Sequence, residues 1–131
     1  MILHKGEVAK SLNGLVLSNR YLATNHGRIW VNPFNQLRNW VETARVQGGY
    51  WLPQYASPTY GSLSVHIRDM EDETRIMQVR NIIAWAFCKK NSPECNKVIH
   101  LDFNSQNCHA DNLMWVTYKE FMNHVERRRA A

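Results

Sequence analysis

The most constraining feature of this sequence lies in its last third, where two short apolar segments flank a polar loop. Val98–Leu101 and Leu113–Val116 have the length and the branched side chains that are typical of short strands. Thr117-Tyr-Lys-Glu120 follows at once and has the form of a capping box, with a threonine and a glutamate three positions apart. The pattern predicts two antiparallel strands followed by a helix that runs to about Arg127, which is a ββα unit.

Residues 77–87 carry the clearest helical periodicity in the chain. Apolar side chains recur there at helical spacing and form a single stripe, made of Val79, Ile82, Ile83, Ala86 and Phe87. Such a stripe needs a buried partner, so we expect this helix to cover the ββα unit. The large aromatic side chains of Trp85, Phe87 and Trp115 are expected to pack in the same core.

The N-terminal half has the alternating pattern of short strands. Asn25-His26-Gly27 is a tight-turn signal, and apolar residues alternate with polar ones on either side of it, at Leu15, Leu17, Ile29 and Val31. Residues 36–46 predict a short helix with one apolar face, made of Leu37, Trp40, Val41 and Ala44. A second hairpin is expected with its turn at Asp69–Glu73 and with one face formed by Leu63, Val65 and Ile67.

Together these elements predict an α+β fold for the 131 residues. We expect a small region of strands and hairpins over residues 1–75, and the ββα unit with its preceding helix over residues 76–131. No repeat or flexible linker divides the chain. The sequence shows neither an apolar run of membrane-spanning length nor a signal peptide, which predicts a cytoplasmic protein without a membrane partner.

The charge of the chain favours a polyanionic partner. Sixteen Lys and Arg against eleven Asp and Glu give a formal net charge of +5, and nucleic acid is the simplest polyanion for such a surface. An ordinary basic surface is the alternative. The three cysteines, Cys88, Cys95 and Cys108, form no Cys-x-x-Cys pair and are expected to be reduced, buried thiols. A zinc site that includes His109 is the alternative for them.

Four stretches of the chain match, in order, the motifs of one nuclease family. Val98-Ile-His-Leu-Asp-Phe-Asn104 corresponds to V-N-H-x-D-G-N, and Asp111-Asn-Leu-Met-Trp-Val-Thr117, with Glu120 in step, corresponds to D-N-L-E-W-V-T-x-x-E-N. Upstream, Val79-Arg-Asn-Ile-Ile-Ala-Trp-Ala-Phe87 is similar to V-H-R-L-V-A-x-A-F, and Tyr21-Leu-Ala-Thr-Asn-His-Gly-Arg-Ile29 to Y-x-V-S-N-x-G-R-V. The chain thus resembles the HNH homing endonucleases, with a NUMOD4-like segment before a ββα-metal (His-Me finger) unit.

The resemblance implies a site at the central histidine of that unit. In HNH nucleases this residue is the general base for metal-assisted phosphodiester hydrolysis, and His100 occupies its position. The asparagine of the Asp-Asn-Leu motif orients the base and braces the loop, and Asn112 matches it. Asp102 and Asn104 match turn residues that shape the loop rather than react.

The metal-ligand positions depart from the family pattern. The family holds its divalent cation by an Asp or Asn just before the central histidine and by an Asn or His early in the final helix. Ile99 and Phe121 stand there, and neither side chain has a donor atom, whereas magnesium needs oxygen ligands. Phe103 also replaces a family glycine. The resemblance therefore implies Mg²⁺ only if the nuclease is active and no cofactor otherwise, with the substitute ligands being Asp102, Asn123 and His124.

Three functions are compatible with these residues. The first is a duplex-DNA-binding protein on an HNH scaffold with catalysis lost or much reduced, whose phosphate contacts are Arg28, Arg38, Arg80, Lys97 and Lys119. The second is an active nicking or double-strand endonuclease that uses substitute ligands. The third is a structural or assembly protein derived from such a nuclease, because genes of this type are frequent in bacteriophages. Its partners are then phage or host proteins, in the host cytoplasm or the virion.

The run Arg127–Arg129 is interpreted as the solvated end of the last helix, where positive charge suits the helix dipole. Contact with phosphates is the alternative.

Overall fold

The computed structural model describes residues 1–16, 20–32, 49–59, 61–71 and 73–130. The strands within them are β1 (Ala9–Ser11), β2 (Tyr21–Thr24), β3 (Ile29–Val31), β4 (Tyr50–Trp51), β5 (Tyr55–Ala56), β6 (Leu63–Arg68), β7 (Thr74–Gln78), β8 (Lys97–His100) and β9 (Leu113–Val116). The helices are α1 (Val79–Phe87) and α2 (Tyr118–Ala130), and a short 3-10 turn covers Ala110–Asn112. The predicted helix over residues 36–46 lies outside the described residues.

The N-terminal strands form an antiparallel sheet in the order β1-β2-β3-β4. The predicted tight turn at Asn25–Gly27 joins β2 to β3 and is confirmed. Gly27 has a φ of +86°, and a Cβ there would lie 2.9 Å from the Cys108 carbonyl oxygen, so the turn needs glycine. The expectation of a strand at Leu15 is wrong, because the Leu15 amide donates to the Leu12 carbonyl in a turn.

The second hairpin is confirmed as the pair β6 and β7, to which β5 adds a third antiparallel strand. Val65 and Ile67 are buried on the predicted face. The turn is closed by Asp69, whose carboxylate accepts hydrogen bonds from the backbone amides of Glu71 and Glu73. This closure explains why an acidic stretch serves as a hairpin turn.

Helix α1 begins at Val79, two residues later than predicted, because Met77 and Gln78 still pair with β6. Its stripe is buried at Val79, Ile82 and Ile83. The prediction that Trp85 packs in the core is wrong: the residue is 42% exposed, since its position lies off the stripe of a helix with 3.6 residues per turn. Phe87 is only half-buried.

The predicted ββα unit is confirmed. Strands β8 and β9 pair antiparallel with His100 opposite Leu113, and β8 starts and ends one residue earlier than expected. Thr117 and Glu120 form the capping box, because the Thr117 hydroxyl oxygen accepts from the Glu120 amide (3.3 Å) and the Thr117 amide donates to Glu120 Oε1 (3.0 Å). Helix α2 continues past Arg127 to Ala130.

Helix α1 covers this unit as expected, and Trp115 Nε1 donates a hydrogen bond to its Ala84 carbonyl (3.1 Å). One hydrophobic core runs from Leu12 near the N-terminus to Trp115, whereas the division of the chain near residue 75 stays a prediction. Two of the three thiols are buried as predicted, and Cys88 is only half-buried. No helix in the described part of the chain has the length and apolar character to cross a membrane.

Candidate functional site

His100 ends strand β8 at the bottom of a cleft of about 400 Å³ between helix α2 and the start of α1. The residue is only 5% exposed, and its ring Nε2 lies 3.8 Å from the Cys108 sulfur. Its carbonyl oxygen accepts from the Phe103 amide (3.0 Å) and lies 3.0 Å from His124 Nε2. We call this space the His100 cleft; the lining residues that matter here are Arg80, Ile99, His100, Phe121, His124 and Arg128.

His100 is neutral at pH 7. Burial is the main reason that its pKa falls to about 4, and the positive charges of Arg80 and Arg128 act in the same direction. The negative charge of Asp102 acts in the opposite direction and raises the pKa of His100. A general base works best with a pKa near the operating pH, so a histidine with this pKa is in the correct protonation state but is a weak proton acceptor.

Asn112 braces the loop between β8 and β9. Its amide nitrogen donates to Asp102 Oδ1 and to the Asn107 carbonyl, both at 2.9 Å, and its oxygen accepts from the Asp102 amide at 3.0 Å. Asp102 also accepts from the Asn104 amide (2.8 Å) and from Asn107 Nδ2 (2.9 Å). These bonds, that from Asn107 foremost, lower the pKa of Asp102. Both oxygens of Asp102 are therefore engaged in loop structure, which agrees with its sequence-based interpretation.

Phe103 adopts a left-handed conformation with a φ of 63°. Its ring stacks on His124 with 4.4 Å between centroids and an interplanar angle of 8°. Since the Nε2 of His124 faces the His100 carbonyl, this nitrogen must carry the proton, and only Nδ1 remains to accept. The turn that glycine makes in the family is thus made here by an aromatic residue that covers the proposed substitute ligand.

The structure brings together His100 and the two positions that the resemblance assigns to metal ligands. Ile99 and Phe121 both line the His100 cleft and offer it carbon atoms. Asn123, the remaining substitute, lines an adjoining depression with Glu120 and Arg127, which shares Ile99 and His124 with the His100 cleft. Within the described residues, His100 belongs to no group of three side chains that could hold a metal ion. Three arginines also line the cleft, so its residues do not fit a divalent cation.

Basic side chains, by contrast, converge on the cleft. Arg80 is half-buried, and its Nε donates to Gln78 Oε1 at 2.9 Å. Burial lowers the pKa of its guanidinium, and the charge of Arg128 lowers it further. Arg128 and Arg129 line the same cleft, although the sequence assigned them to a solvated helix end. The sequence contained a signal for this placement. Arg128 and Arg129 follow Phe121 by seven and eight residues, which is about two helical turns, so they lie on the same face of α2 as Phe121.

The other predicted phosphate contacts are placed elsewhere. Lys97 and Lys119 are exposed at the starts of β8 and α2, and Arg38 lies outside the described residues. Arg28 is engaged internally: it donates to both oxygens of Glu7, at 2.9 Å from Nε and 2.5 Å from Nη2, and its guanidinium lies 3.6 Å from the centre of the Trp51 ring. The Arg28 hydrogen bonds lower the pKa of the buried Glu7 carboxyl to about 2.

Comparison with known proteins gives a structural likeness without a sequence match. No protein-family model and no curated protein matches the chain. A solved structure described as "DNA binding and cleavage by the HNH homing endonuclease I-HmuI" is similar with a TM-score of 0.70 at 21% identity. The match covers 95% of this chain and 60% of that one, so this chain spans less than two thirds of that protein's length. On this likeness and the ββα geometry, the chain has the α+β fold of an HNH endonuclease.

Proposed function

We propose that this protein binds duplex DNA on its HNH scaffold and that magnesium-dependent hydrolysis is lost or much reduced. The formal net charge of +5 supports a polyanionic ligand, and the structurally similar endonuclease is described as binding and cleaving DNA. The Tyr21–Ile29 stretch, which resembles the NUMOD4 segment, is a second proposed contact region.

The observation that carries this proposal is the charge of the His100 cleft. Arg80, Arg128 and Arg129 line it together with two histidines, and none of its described lining residues is acidic. Burial and the like charge of Arg128 both disfavour the charged form of Arg80, which an anionic ligand would stabilise. A phosphodiester can accept hydrogen bonds from guanidinium donors in pairs. We propose Arg80 and Arg128 as the central phosphate contacts, with Lys97 and Lys119 as peripheral ones. Arg28 is left out because Glu7 already neutralises it.

Loss of hydrolysis is proposed from the chemistry of the same cleft. Ile99 and Phe121 offer carbon where a cation needs donors, Asp102 is committed to the loop, and the pKa of His100 makes it a weak base. An active endonuclease is the second candidate, because a neutral histidine does lie at the bottom of a cleft that suits a phosphate. Robust magnesium- or manganese-dependent cleavage of supercoiled plasmid, abolished by His100→Ala, would establish it.

Duplex-DNA affinity is expected to fall steeply with salt concentration. Each phosphate contact releases condensed counterions, so log K falls linearly with log salt by about 0.9 per contact. A gel-shift titration over several salt concentrations measures this slope. Absence of binding at low salt would contradict the proposal and favour a protein partner.

A matched pair of variants tests the cleft itself. Arg128→Gln and Arg127→Gln remove the same charge from neighbouring positions of α2, but Arg128 lines the His100 cleft and Arg127 faces the other depression. We expect Arg128→Gln to weaken binding on all sequences and to reduce the salt slope by about 1, with a smaller effect of Arg127→Gln. Equal losses would indicate a diffuse basic surface and count against the cleft as the contact.

A further inference from the structure

The His100 cleft has an apolar part beside its arginines. The apolar side chains among its described lining residues are Val98, Ile99, Phe103, Phe121, Met122 and Val125. Val98 is buried, whereas Phe103 and Met122 are each 37% exposed, so this apolar part is open to solvent. A phosphate group makes hydrogen bonds and ion pairs, which apolar side chains do not offer. The arginines therefore account for only one part of a ligand that fills the cleft.

Three of these apolar side chains stand where the HNH motif that the chain resembles has other chemistry. Ile99 and Phe121 occupy the positions assigned to metal ligands, and Phe103 occupies the position of a glycine. They come from a strand, a helix and the loop between β8 and β9, yet all three line the same cleft. Replacing donors and a glycine by larger apolar groups turns this region into a surface for an apolar ligand group.

Two aromatic rings in the apolar part are held by the backbone around them. The Phe103 ring is stacked on His124 with an interplanar angle of 8°, and the Phe103 amide donates to the His100 carbonyl at 3.0 Å. Phe121 lies in the first turn of α2, where its amide donates to the Thr117 carbonyl at 2.9 Å. Nucleobases stack on such rings whatever the sequence, because every base has a π face.

The size and charge of the cleft restrict the ligand further. Its volume of about 400 Å³ lies within the range of small-molecule pockets, roughly 300–1,000 Å³. Base pairs inside a duplex are stacked on both sides, so a base contacts the apolar part only after it leaves the stack. Among the described residues, no carboxylate forms an ion pair with Arg80, Arg128 or Arg129. Their charges are thus left for the phosphates of such a nucleotide.

We propose that the His100 cleft binds one unpaired nucleotide of a DNA strand. The base packs against Phe103, Phe121 and Met122. The phosphates on either side of it pair with Arg80 and Arg128. This inference rests on the proposed DNA binding and names the DNA structure that the cleft recognises. A base that is already unpaired has the smallest cost of leaving the stack, so a duplex with a bulged nucleotide is the preferred ligand.

Three duplexes of one sequence test this proposal in a gel shift at a single salt concentration. The first is fully paired, the second carries one bulged adenosine nucleotide, and the third carries an abasic deoxyribose phosphate at the bulge. The second and third have the same phosphates, so a difference between them reports contact with the base. We expect the bulged duplex to bind tighter than the paired one by about tenfold or more, as stacking of one base allows. The abasic bulge should lose most of this gain.

Met122→Ala and Met114→Ala are a matched pair of variants. Met122 lines the His100 cleft and is 37% exposed, whereas Met114 lines the adjoining depression and is 41% exposed. We expect Met122→Ala to weaken binding of the bulged duplex by about threefold or more, and binding of the paired duplex less, because the lost contact is apolar. Phe103→Gly should act in the same direction. Met114→Ala should bind both duplexes as the unmodified protein does.

Each contrary result has its own meaning. Equal affinity for the paired and bulged duplexes would overturn this proposal and leave the proposed DNA binding intact. An abasic bulge that keeps the full gain would overturn it too, because the protein would then recognise a flexible backbone and not a base. Equal losses in Met122→Ala and Met114→Ala would exclude the cleft as the site. Absence of binding to all three duplexes at low salt would overturn both proposals.

Discussion

At the scale of single residues, Phe103 shows how this chain departs from the HNH motif that it resembles without losing the loop. A phenylalanine with a φ of 63° carries a steric cost that glycine avoids, of about 1–2 kcal/mol. Several hydrogen bonds nevertheless fix the conformation of the loop, and they involve Asn112, Asp102 and the Phe103 amide. The stack of Phe103 on His124 offsets part of the cost.

Substitutions at Phe103 should separate these two effects. Phe103→Ala removes the ring and keeps a Cβ in the left-handed region, whereas Phe103→Gly removes both. We expect the glycine variant to be more stable than the alanine variant by about 1 kcal/mol. Urea unfolding midpoints of the two variants measure this difference, and an alanine variant of equal or higher stability would contradict it.

His100 should give the protein a distinct loss of stability in mild acid. Its pKa is about 4 in the folded state and near 6.5 when exposed, so between these values the unfolded chain binds a proton that the folded protein does not. Stability is therefore complete above pH 6.5 and decreases as the pH falls to about 4, by up to about 3 kcal/mol. Glu7, whose pKa falls to about 2, acts at lower pH.

The measurement is urea unfolding at several pH values between 7 and 4 for the unmodified protein and for His100→Gln. The variant should have a flatter profile in this range, because glutamine does not titrate. The same slope in both proteins would show that His100 is not buried in neutral form.

At the scale of secondary-structure elements, the ββα unit is stabilised by a capping box, by strand pairing and by a hydrogen bond to α1. The capping box starts α2, the β8–β9 pairing sets the register, and Trp115 hydrogen-bonds to α1. The strand and the helix still carry positions 99 and 121 to the same cleft. The elements thus bring together the two positions that the HNH resemblance assigns to metal ligands.

Restoring donors at both positions, as Ile99→Asp with Phe121→Asn, should create magnesium binding. Each new polar group costs roughly 1–3 kcal/mol if it stays unpaired. Both positions are half-buried and open to the cleft, so we expect the lower end of that range. Magnesium should raise the melting temperature of the double variant and leave the unmodified protein unchanged, because it binds the folded state. An equal shift in both proteins, or a full shift with Ile99→Asp alone, would contradict this.

At the scale of the whole molecule, the Glu7–Arg28 pair connects parts of the chain that are distant in sequence. Arg28 joins the N-terminal segment, through Glu7 and the Ile2 carbonyl (3.0 Å), to the Trp51 ring of β4. Thr24 completes the network, since its hydroxyl donates to Glu7 Oε2 at 2.6 Å. A residue that the sequence suggested as a DNA contact is therefore part of the tertiary framework.

Removing one partner of this pair should destabilise the fold more than removing both. Arg28→Gln leaves the fully buried Glu7 carboxylate without its counter-ion and should cost about 3 kcal/mol. Glu7→Gln combined with Arg28→Gln should recover part of that loss. Urea unfolding of the single and double variants completes the cycle, and a loss below 1 kcal/mol for Arg28→Gln would show that solvent already screens the pair.

Local patterns in the sequence were sufficient for the elements of this fold. The Thr117–Glu120 capping box, the strand at Leu113–Val116, the turn at Asn25–Gly27 and the stripe of α1 depend on residues a few positions apart, so short-range rules predicted them. The HNH resemblance, in contrast, implied that Ile99 and Phe121 stand where metal ligands are expected. Short-range rules placed Trp85 in the core and started α1 two residues too early. Pairing with β6 delays the start of the helix, and the position of Trp85 around the helix turns its side chain away from the core.

Only the tertiary structure decided what meets at each site. Arg80 and Arg128 are 48 positions apart yet line one cleft, and Arg28 turns inward to Glu7. Periodicity gives the face of an element on which a residue lies, but not the element that packs against that face. A charge that looks available for phosphate in the sequence can therefore be neutralised by a distant carboxylate, because ion pairing depends on distance in space.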